Sequence, residues 1–347
     1  MSQLSEAVTR AWYQNEKWIW LLLPLTILFW LVSTLRRIAY QRGWKASVKV
    51  TAPVVIVGNI SVGGTGKSPL TAYLVSELTK KGYRPGVVSR GYGGQSDHYP
   101  LIVNQDSSAT TVGDEPLMLF QMTQCPVAVD PVRSRAAQML CEKYHCDVVI
   151  CDDGLQHYAL ARDIEICVVD GKRLFGNGFL LPSGPLREPS QRLRYLDYIV
   201  VNSGDHATNG LEQSGIRNHP AVFDMSLKPQ SLINVFNGST WGIAELKGKA
   251  VHGVAGIGNP ERFFKALEGL GADVSCHGFP DHHQFSRHDF TFDDGLPVVM
   301  THKDAVKCSA LYGKMTPDNF WYMPVSADIN DGFIERLCQQ LDTVSKE

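Results

Sequence analysis

The residues of this chain best suited to chemistry lie between positions 61 and 68: Ser61, Val62, Gly63, Gly64, Thr65, Gly66, Lys67 and Ser68. Three glycines let the backbone curl so that several N–H groups converge on an anion, and a helix N-terminus beyond them would add its positive end. Lys67 is placed to reach the β- and γ-phosphates of a nucleotide, and the Ser68 hydroxyl can ligate Mg²⁺. The strict phosphate-loop pattern opens on glycine where this chain has Ser61, so the match is one residue short. The flanking elements separate this reading from a flexible turn carrying a surface lysine. Val54–Val57 is a β-branched run typical of a strand buried on both faces. Leu70, Tyr73, Leu74 and Leu78 then recur at helical spacing before Gly82.

A phosphate loop needs an acidic partner at the end of a neighbouring strand. The run Asp147-Val-Val-Ile-Cys-Asp152-Asp153 supplies one, with Asp152 and Asp153 at the carboxyl end, where open α/β sheets place their ligands. One of the two could hold Mg²⁺ directly or through water; the competing reading is a strand followed by an Asp-Gly turn. Asp114 and Glu115 follow Gly113. They read either as site carboxylates in a loop or as the acidic first turn of a helix over LMLFQM, and the residues alone leave both open. His277, His282, His283 and His288 do not show a familiar zinc spacing and read as solvated or orienting groups. Arg133, Arg135, Arg187, Arg192 and Arg194 are cations near these segments, each with an exposed helix face or loop as its default reading.

These groups must be positioned by a larger frame. At 347 residues, 44% apolar and 20% charged, the chain is long enough for about two ordinary globular domains. A net charge of −2 gives no bulk attraction to nucleic acid, so no nucleic-acid partner is expected. Eight cysteines without a CxxC pair, several inside apolar runs, read as reduced thiols in a cytoplasmic compartment. Further strands are expected at 84–89, 125–130, 164–169, 197–202, 250–255, 297–301 and 320–325. Helical patterns lie between many of them, for instance at 131–145 and 260–270, which argues for βα units and a mainly parallel sheet. Gly253, Gly256 and Gly258 depart from the dinucleotide-binding spacing and read as a tight strand–helix connection.

Trp18 to Leu35 carries no charge over 18 residues, about 27 Å as a helix against a hydrocarbon core of about 30 Å. Pro24 is expected to kink it. Arg36, Arg37, Arg42, Lys45 and Lys49 follow the run while only Arg10 and Lys17 precede it, a bias that puts the rest of the chain on the cytoplasmic side of a membrane. A cleaved signal peptide and a buried core helix are the alternatives. The first lacks a small-residue cleavage site, and tryptophans near both ends of the run suit an interface better than a core.

The motifs GNISVGGTGKSP, VVSRGYGG (87–94), VGDEPLM (112–118), VDPVRSRAA (129–137), DDGLQH (152–157), LLPSGPLREP (180–189) and THKDAVK (301–307) occur in that order. In them the chain resembles the tetraacyldisaccharide 4′-kinases of lipid A biosynthesis over nearly its whole length. The resemblance implies an ATP- and Mg²⁺-dependent enzyme that phosphorylates the 4′-hydroxyl of an acylated glucosamine disaccharide 1-phosphate, forming lipid IVA, at the cytoplasmic side of the inner membrane. It implies an α/β, P-loop NTPase-like fold with a smaller C-terminal α/β domain, an N-terminal hydrophobic helix, and a nucleotide site at the domain interface. Carried over by residue, Lys67 and Ser68 serve the phosphates and metal, and Asp152 and Asp153 match the acidic pair that manages the metal. Asp114 matches the proposed catalytic base, and His282 matches its histidine partner, although the adjacent His283 competes for that role. Glu115, Arg133 and Arg135 become candidates for the substrate and its 1-phosphate.

The expected organisation is a membrane-associated helix over 1–38, a P-loop kinase domain over 39–222, and a β linker with a smaller domain over 223–347. THKD at 301–304 superficially matches a guanine-reading motif, but its lysine–aspartate spacing is wrong and gives no support for GTP. A membrane-tethered NTPase switch acting on a protein partner, and a soluble kinase or ligase with a merely structural first helix, are the competing functions.

Overall fold

The computed structural model of the chain describes residues 3–203, 214–309, 311–312, 317–329 and 332–345. Its strands, in chain order, are β1 Val54–Gly58, β2 Pro85–Ser89, β3 Leu101–Ile102, β4 Val127–Val129, β5 Val148–Asp152, β6 Ile164–Asp170, β7 Tyr198–Asn202, β8 Val222–Pro229, β9 Leu232–Asn234, β10 Thr240–Trp241, β11 Ala250–Ala255, β12 Asp273–Gly278, β13 Val298–Thr301, β14 Phe320–Met323 and β15 Val325–Ile329.

Two compact units form. The first holds Met1–Arg90, Cys125–Leu227 and Ala327–Glu347; the second holds Gly91–Gln124 and Lys228–Ser326. This grouping differs from the linear boundaries at 38 and 222. The helix Asp114–Thr123 packs on the helix His302–Cys308, which draws 91–124 into the second unit. In the first unit the helix Phe333–Val344 returns to the helix Lys67–Lys80. There Phe333 is fully buried, with its ring 5.0 Å from Phe223, 5.7 Å from Tyr198 and 6.4 Å from Tyr73.

The sheet of the first unit runs β15-β8-β7-β6-β1-β5-β2-β4, and the pairings from β8 through β4 are parallel. Every residue of β1, β2, β4, β5, β6 and β7 is buried, which is why these segments read as continuous Val/Ile runs rather than alternating ones. From β1 the chain runs to β2, then to β4, and returns to fill the gap between β1 and β2 with β5 before β6 flanks β1 on its other side. The strand order therefore reverses around β1, and the carboxyl ends there are where such folds bind ligands. Val57 of β1 sits beside Asp152 of β5, so the glycine-rich loop and the acidic strand end leave the sheet at the same level.

In the second unit a six-stranded sheet runs β10-β9-β14-β13-β11-β12. Strands β12, β11, β13 and β14 pair in parallel, while β9 and β10 add antiparallel strands. One core gathers Phe263, Phe264 and Leu267 of the helix Pro260–Gly269 over Val251 and Met323; a second gathers Phe285, Phe290, Met300 and Phe320. Gly256 and Gly258 lie in the tight connection between β11 and that helix, whereas Gly253, expected there too, lies inside β11.

At the N-terminus, residues Lys17–Leu22 form a 3₁₀ turn that continues into an α-helix over Leu23–Gln41. Pro24 falls in the first turn of the α-helix, where a missing N–H costs nothing, so it starts a helix rather than kinking one. The pattern of this helix is inverted. Thr26 is buried, with its Oγ1 2.8 Å from Ser183 Oγ, while Leu25, Ile27, Leu28, Val32 and Leu35 are each more than half exposed. The elements before it rest on the loop after β6: in the helix Gln3–Gln14, Trp12 Nε1 donates to Pro182 O at 2.9 Å, and Ala11 and Trp12 with Ile19 of the 3₁₀ turn pack with Leu181 and with Val62 of the glycine-rich loop.

Candidate active site

In the first unit the loop leaves β1 and enters the helix Lys67–Lys80 through Gly66, whose φ of 99° is open only to glycine at low cost. A Cβ there would also lie 2.6 Å from Asn202 Nδ2, the group that donates to Thr65 O at 2.9 Å. Ser61, at the position where the strict pattern has glycine, is buried and bridges antiparallel to Leu186; Val62 N donates to Pro185 O at 2.8 Å. The loop is thus braced from outside by residues 185–187. Gly66→Ala adds backbone strain of about 1–3 kcal/mol to that clash. It is expected to lower the midpoint of thermal unfolding by about 2–10 °C. An unchanged midpoint would show that the loop relaxes freely.

Lys67 Nζ lies 3.5 Å from Asp153 Oδ1, and Arg187 Nη1 lies 3.2 Å from each Asp153 carboxylate oxygen. Burial by itself would push the Asp153 pKa up. The Lys67 ammonium and then the Arg187 and Arg133 guanidiniums outweigh it and hold the group at about 2. Asp153 has a φ of 48°, in the left-handed region that Asp tolerates better than most residues. Asp152 is buried and accepts from Thr71 Oγ1 at 3.1 Å. The two acids therefore differ: one is locked under the loop helix, the other faces a cluster of cations. Arg133 is buried and donates to Asp153 O at 2.8 Å. Arg135 is half exposed and forks Asp130 through two bonds of 2.8 Å, and Asp130 also accepts from Val132 N.

The second unit carries a separate constellation. Asp114 opens the helix Asp114–Thr123 and is buried; Glu115 follows it in the first turn. The pair therefore opens a helix rather than lying in a loop, and within that first turn Asp114 is a buried carboxylate with specific partners. Gly113 before them has a φ of 93°, and a Cβ there would lie 2.8 Å from Tyr92 O. His282, itself in the left-handed region at φ 59°, brings Nδ1 to 3.0 Å from Asp114 Oδ2. The Tyr92 ring leans over the imidazole with centroids 4.7 Å apart. His283 turns to Asp289 at 3.3 Å instead. Burial pushes the Asp114 pKa up, but the His282 hydrogen bond and the Lys303 charge outweigh it and hold the group below the usual carboxylate range. For His282, burial pulls the pKa down, and the Asp114 hydrogen bond with the charges of Asp114 and Asp281 more than restores it, leaving it raised.

A family model described as tetraacyldisaccharide-1-P 4′-kinase matches residues 18–342. The chain belongs to this family. A tetraacyldisaccharide 4′-kinase of Pseudoalteromonas atlantica is 50% identical over 93% of the chain and the whole of that protein. One of Methylobacillus flagellatus is 46% identical over 97% of the chain and 96% of its own length. Among solved structures, LpxK of Aquifex aeolicus in complex with ATP aligns with a TM-score of 0.75 at 29% identity, covering 93% of this chain and 98% of that one. The protein is accordingly a kinase with the P-loop kinase fold, and these relatives lend nothing to the reading of an NTPase switch.

In this kinase the sequence reasoning passed over Lys303. Its ammonium donates to Glu115 Oε1 at 3.0 Å and to Asp281 Oδ1 at 3.2 Å, and lies 4.0 Å from Asp114 Oδ2. The signal lies in THKDAVK, one of the motifs that carry the family resemblance, but the motif by itself assigns its lysine no partner. Its other members are structural. Thr301 Oγ1 caps the helix His302–Cys308 by accepting from Asp304 N, and Asp304 accepts from Gly256 N at 2.9 Å and pairs with Lys307 at 2.7 Å. Arg187 was named only as one of several basic residues, yet it is a direct partner of Asp153.

Proposed function

We propose that this kinase transfers the γ-phosphate of ATP to the 4′-hydroxyl of a tetraacyldisaccharide 1-phosphate, with the nucleotide phosphates held at Ser61–Ser68 and the alcohol proton taken by Asp114. The observation that carries the nucleotide assignment is the Lys67–Asp153 pair at the carboxyl end of β1 and β5. A lysine held by one carboxylate beside a glycine-rich loop is a cation ready to exchange that partner for phosphate oxygens.

The donor set around it fits Mg²⁺. Asp152, Asp153 and the Ser68 hydroxyl offer only hard oxygens, and the buried Thr65 Oγ1 lacks a hydrogen-bond partner. Ser68, Asp152 and Asp153 would hold the ion, which when bound with nucleotide neutralises charge on the phosphate oxygens. The chain's own contribution is separate. Lys67 spreads positive charge toward the γ-phosphate, loop amides orient the phosphates, and Arg187 keeps Asp153 ionised.

Asp114 carries the acceptor side of the reading. Phosphoryl transfer is largely dissociative, so the alcohol proton leaves late, and a carboxylate with a low pKa serves by orienting the hydroxyl and receiving the proton as the bond to phosphorus forms. His282 orients the carboxylate, since its Nδ1 engages Oδ2 while Glu115 N engages Oδ1. Glu115, Arg133 and Arg135 are proposed as contacts to the substrate. Incubating the purified protein with Mg-ATP and tetraacyldisaccharide 1-phosphate should yield the bisphosphorylated lipid; absence of product from folded protein would reject the proposal.

The inverted helix supports a membrane placement, with the rest of the chain at the cytoplasmic face of the inner membrane. An exposed stripe of leucines, tryptophans and valines is stable in lipid and unstable in water, and the basic run from Arg36 to Lys49 suits an anionic surface. Replacing Leu25, Leu28 and Val32 together by Asn keeps the buried Thr26 contact. It removes apolar area that stabilises lipid contact by about 1–2 kcal/mol per side chain. Binding to anionic liposomes is expected to weaken at least about 100-fold in a flotation assay. Undiminished flotation would mean that another face meets the lipid.

A further inference from the structure

We infer that Trp12 and Thr26 are positioning residues for phosphoryl transfer: from the N-terminal segment they fix the loop 176–187, and that loop holds the glycine-rich loop and Arg187 in place. The inference rests on the reading of Ser61–Ser68 as the nucleotide phosphate site and gives that site a support outside its own strand and helix.

Thr26 is a hydroxyl inside an apolar run, and among the described residues of the helix Leu23–Gln41 it alone is buried. A polar group in apolar surroundings is costly unless its hydrogen bonds are made. Apart from a contact of 3.4 Å to Leu22 O, those of Thr26 go to one loop. Its Oγ1 accepts from Ser183 N at 3.1 Å, pairs with the fully buried Ser183 Oγ at 2.8 Å and lies 3.4 Å from Leu180 O. Trp12 grips the same loop twice. Its Nε1 donates to Pro182 O at 2.9 Å, and its carbonyl accepts from Asn177 N at 2.9 Å. Gly176 passes so close that a Cβ on it would lie 2.9 Å from Trp12 O. Asn177 Nδ2 then donates to Ser183 O at 2.8 Å, which ties the two holds together.

The other rim of the loop faces the phosphate site. Pro185 O accepts from Val62 N at 2.8 Å, Leu186 bridges Ser61, and Arg187 N donates to Ile60 O at 2.7 Å. The Arg187 guanidinium thereby comes to 3.2 Å from both carboxylate oxygens of Asp153. Across the loop, Leu181 N donates to Leu186 O and Gly184 N to Leu180 O, each at 2.9 Å, so the two rims move together. A second contact runs beside them. Arg173 lies over the Tyr13 ring, 5.4 Å from its centroid, and its Nη1 stands 3.6 Å from where a Cβ on Gly63 would be. Loop amides that orient phosphates tolerate little displacement: a shift of about 1 Å can cost about 100-fold in rate even when its cause lies far from the chemistry. The segment that carries the exposed apolar stripe is therefore also a brace of the nucleotide site.

The test uses full-length Thr26→Val, Trp12→Phe and the double variant in detergent micelles with Mg-ATP and tetraacyldisaccharide 1-phosphate. Valine keeps the shape of Thr26 and removes the hydroxyl; phenylalanine keeps a ring beside Ala11, Ile19 and Val62 and removes the Nε1 donor. The double variant is expected to raise the KM for ATP about 10-fold and to lower kcat/KM for ATP about 10- to 100-fold. The KM for the lipid should stay within about twofold, and flotation with anionic liposomes should be unchanged, because the exposed stripe is intact. Thr26→Ser restores the hydroxyl and should recover most of what Thr26→Val loses. A loss confined to kcat would reflect only a smaller folded fraction, and a loss confined to the lipid KM or to flotation would place the effect on the acceptor. Either result, or ATP kinetics within about twofold of wild type, overturns the inference. Should the variants fail to fold, amide hydrogen exchange of the wild type decides the matter. Coupling is reciprocal, so a nonhydrolysable ATP analogue with Mg²⁺ should slow exchange in 8–14 and 176–187 by about fivefold or more, and unchanged exchange overturns the inference. Full turnover by Lys67→Ala would instead remove the phosphate-loop reading itself, an outcome separate from any result at Trp12 or Thr26.

Discussion

Lys67→Ala is expected to lower kcat/KM for ATP by about three orders of magnitude or more, with secondary structure unchanged by circular dichroism. The argument is electrostatic. A charged donor aimed at developing negative charge in a water-poor site is worth about 10²–10³ in rate even when it is a single neutral hydrogen bond, and a phosphate-loop lysine supplies a full charge. Lys67 starts the helix Lys67–Lys80, so its ammonium and the helix end act on the same point. The variant has a second effect. Asp153 owes its depressed pKa first among its attractive partners to Lys67 and then to Arg187, so losing the lysine shifts the carboxyl upward while Arg187 still holds it. Lys67→Arg should not rescue, since a planar fork cannot occupy the place of a point charge beside Asp153. Activity within tenfold of wild type would move the phosphates away from this loop.

Much of the first unit was legible because its signals are local. The β-branched runs of β1, β5 and β6 are buried on both faces, so hydrophobicity without alternation identified them, and Asp152 was recognisable as the last residue of such a run. The phosphate loop needs only eight consecutive residues. Ser61 in place of glycine was the one blemish; its backbone bridges Leu186, a contact that does not depend on the side chain. What spacing alone could not show, the Asp114–His282 pairing that only the family resemblance implied and the partners of Lys303, depends on residues far apart in sequence. His282 reaches Asp114 across 168 positions, and Lys303 reaches Glu115 across 188, separations at which spacing carries no information. Pro24 misled for a local reason: a proline inside an apolar run looks like a kink unless the preceding turn is known to be 3₁₀. Arg135 has a sequence context much like that of Arg133, yet Arg135 is half exposed and forks the buried Asp130 while Arg133 is itself buried and donates to Asp153 O, a difference set by helix phase after β4. The linear domain boundaries at 38 and 222 could not anticipate that 91–124 joins the second unit, because that insertion is fixed by helix packing rather than by composition.

Asp114→Asn separates a base from a binding group more sharply than any other substitution in the second unit. Asparagine keeps the size and can still hydrogen-bond, but it cannot take a proton, so kcat is expected to fall by about 10²–10⁴ while the affinity for ATP, measured by equilibrium titration, stays close to wild type. Asp114 is buried, its Oδ1 accepts from Glu115 N at 2.9 Å, and its Oδ2 meets His282 Nδ1 at 3.0 Å. Asparagine fits the same space and keeps its oxygen toward one of these partners, with its NH2 toward the other. His282→Ala should be milder, because it removes the group that orients the carboxylate but leaves the carboxylate and Lys303. The order expected is therefore Asp114→Asn below His282→Ala below wild type in kcat, with the double variant close to Asp114→Asn alone, since an orienting group has nothing left to orient. If instead the two losses multiply, the pair acts on different steps. If ATP affinity collapses with Asp114→Asn, the carboxylate belongs to the nucleotide or its metal, and the acceptor base must be sought at Glu115 or Asp281, which the same lysine already holds in place.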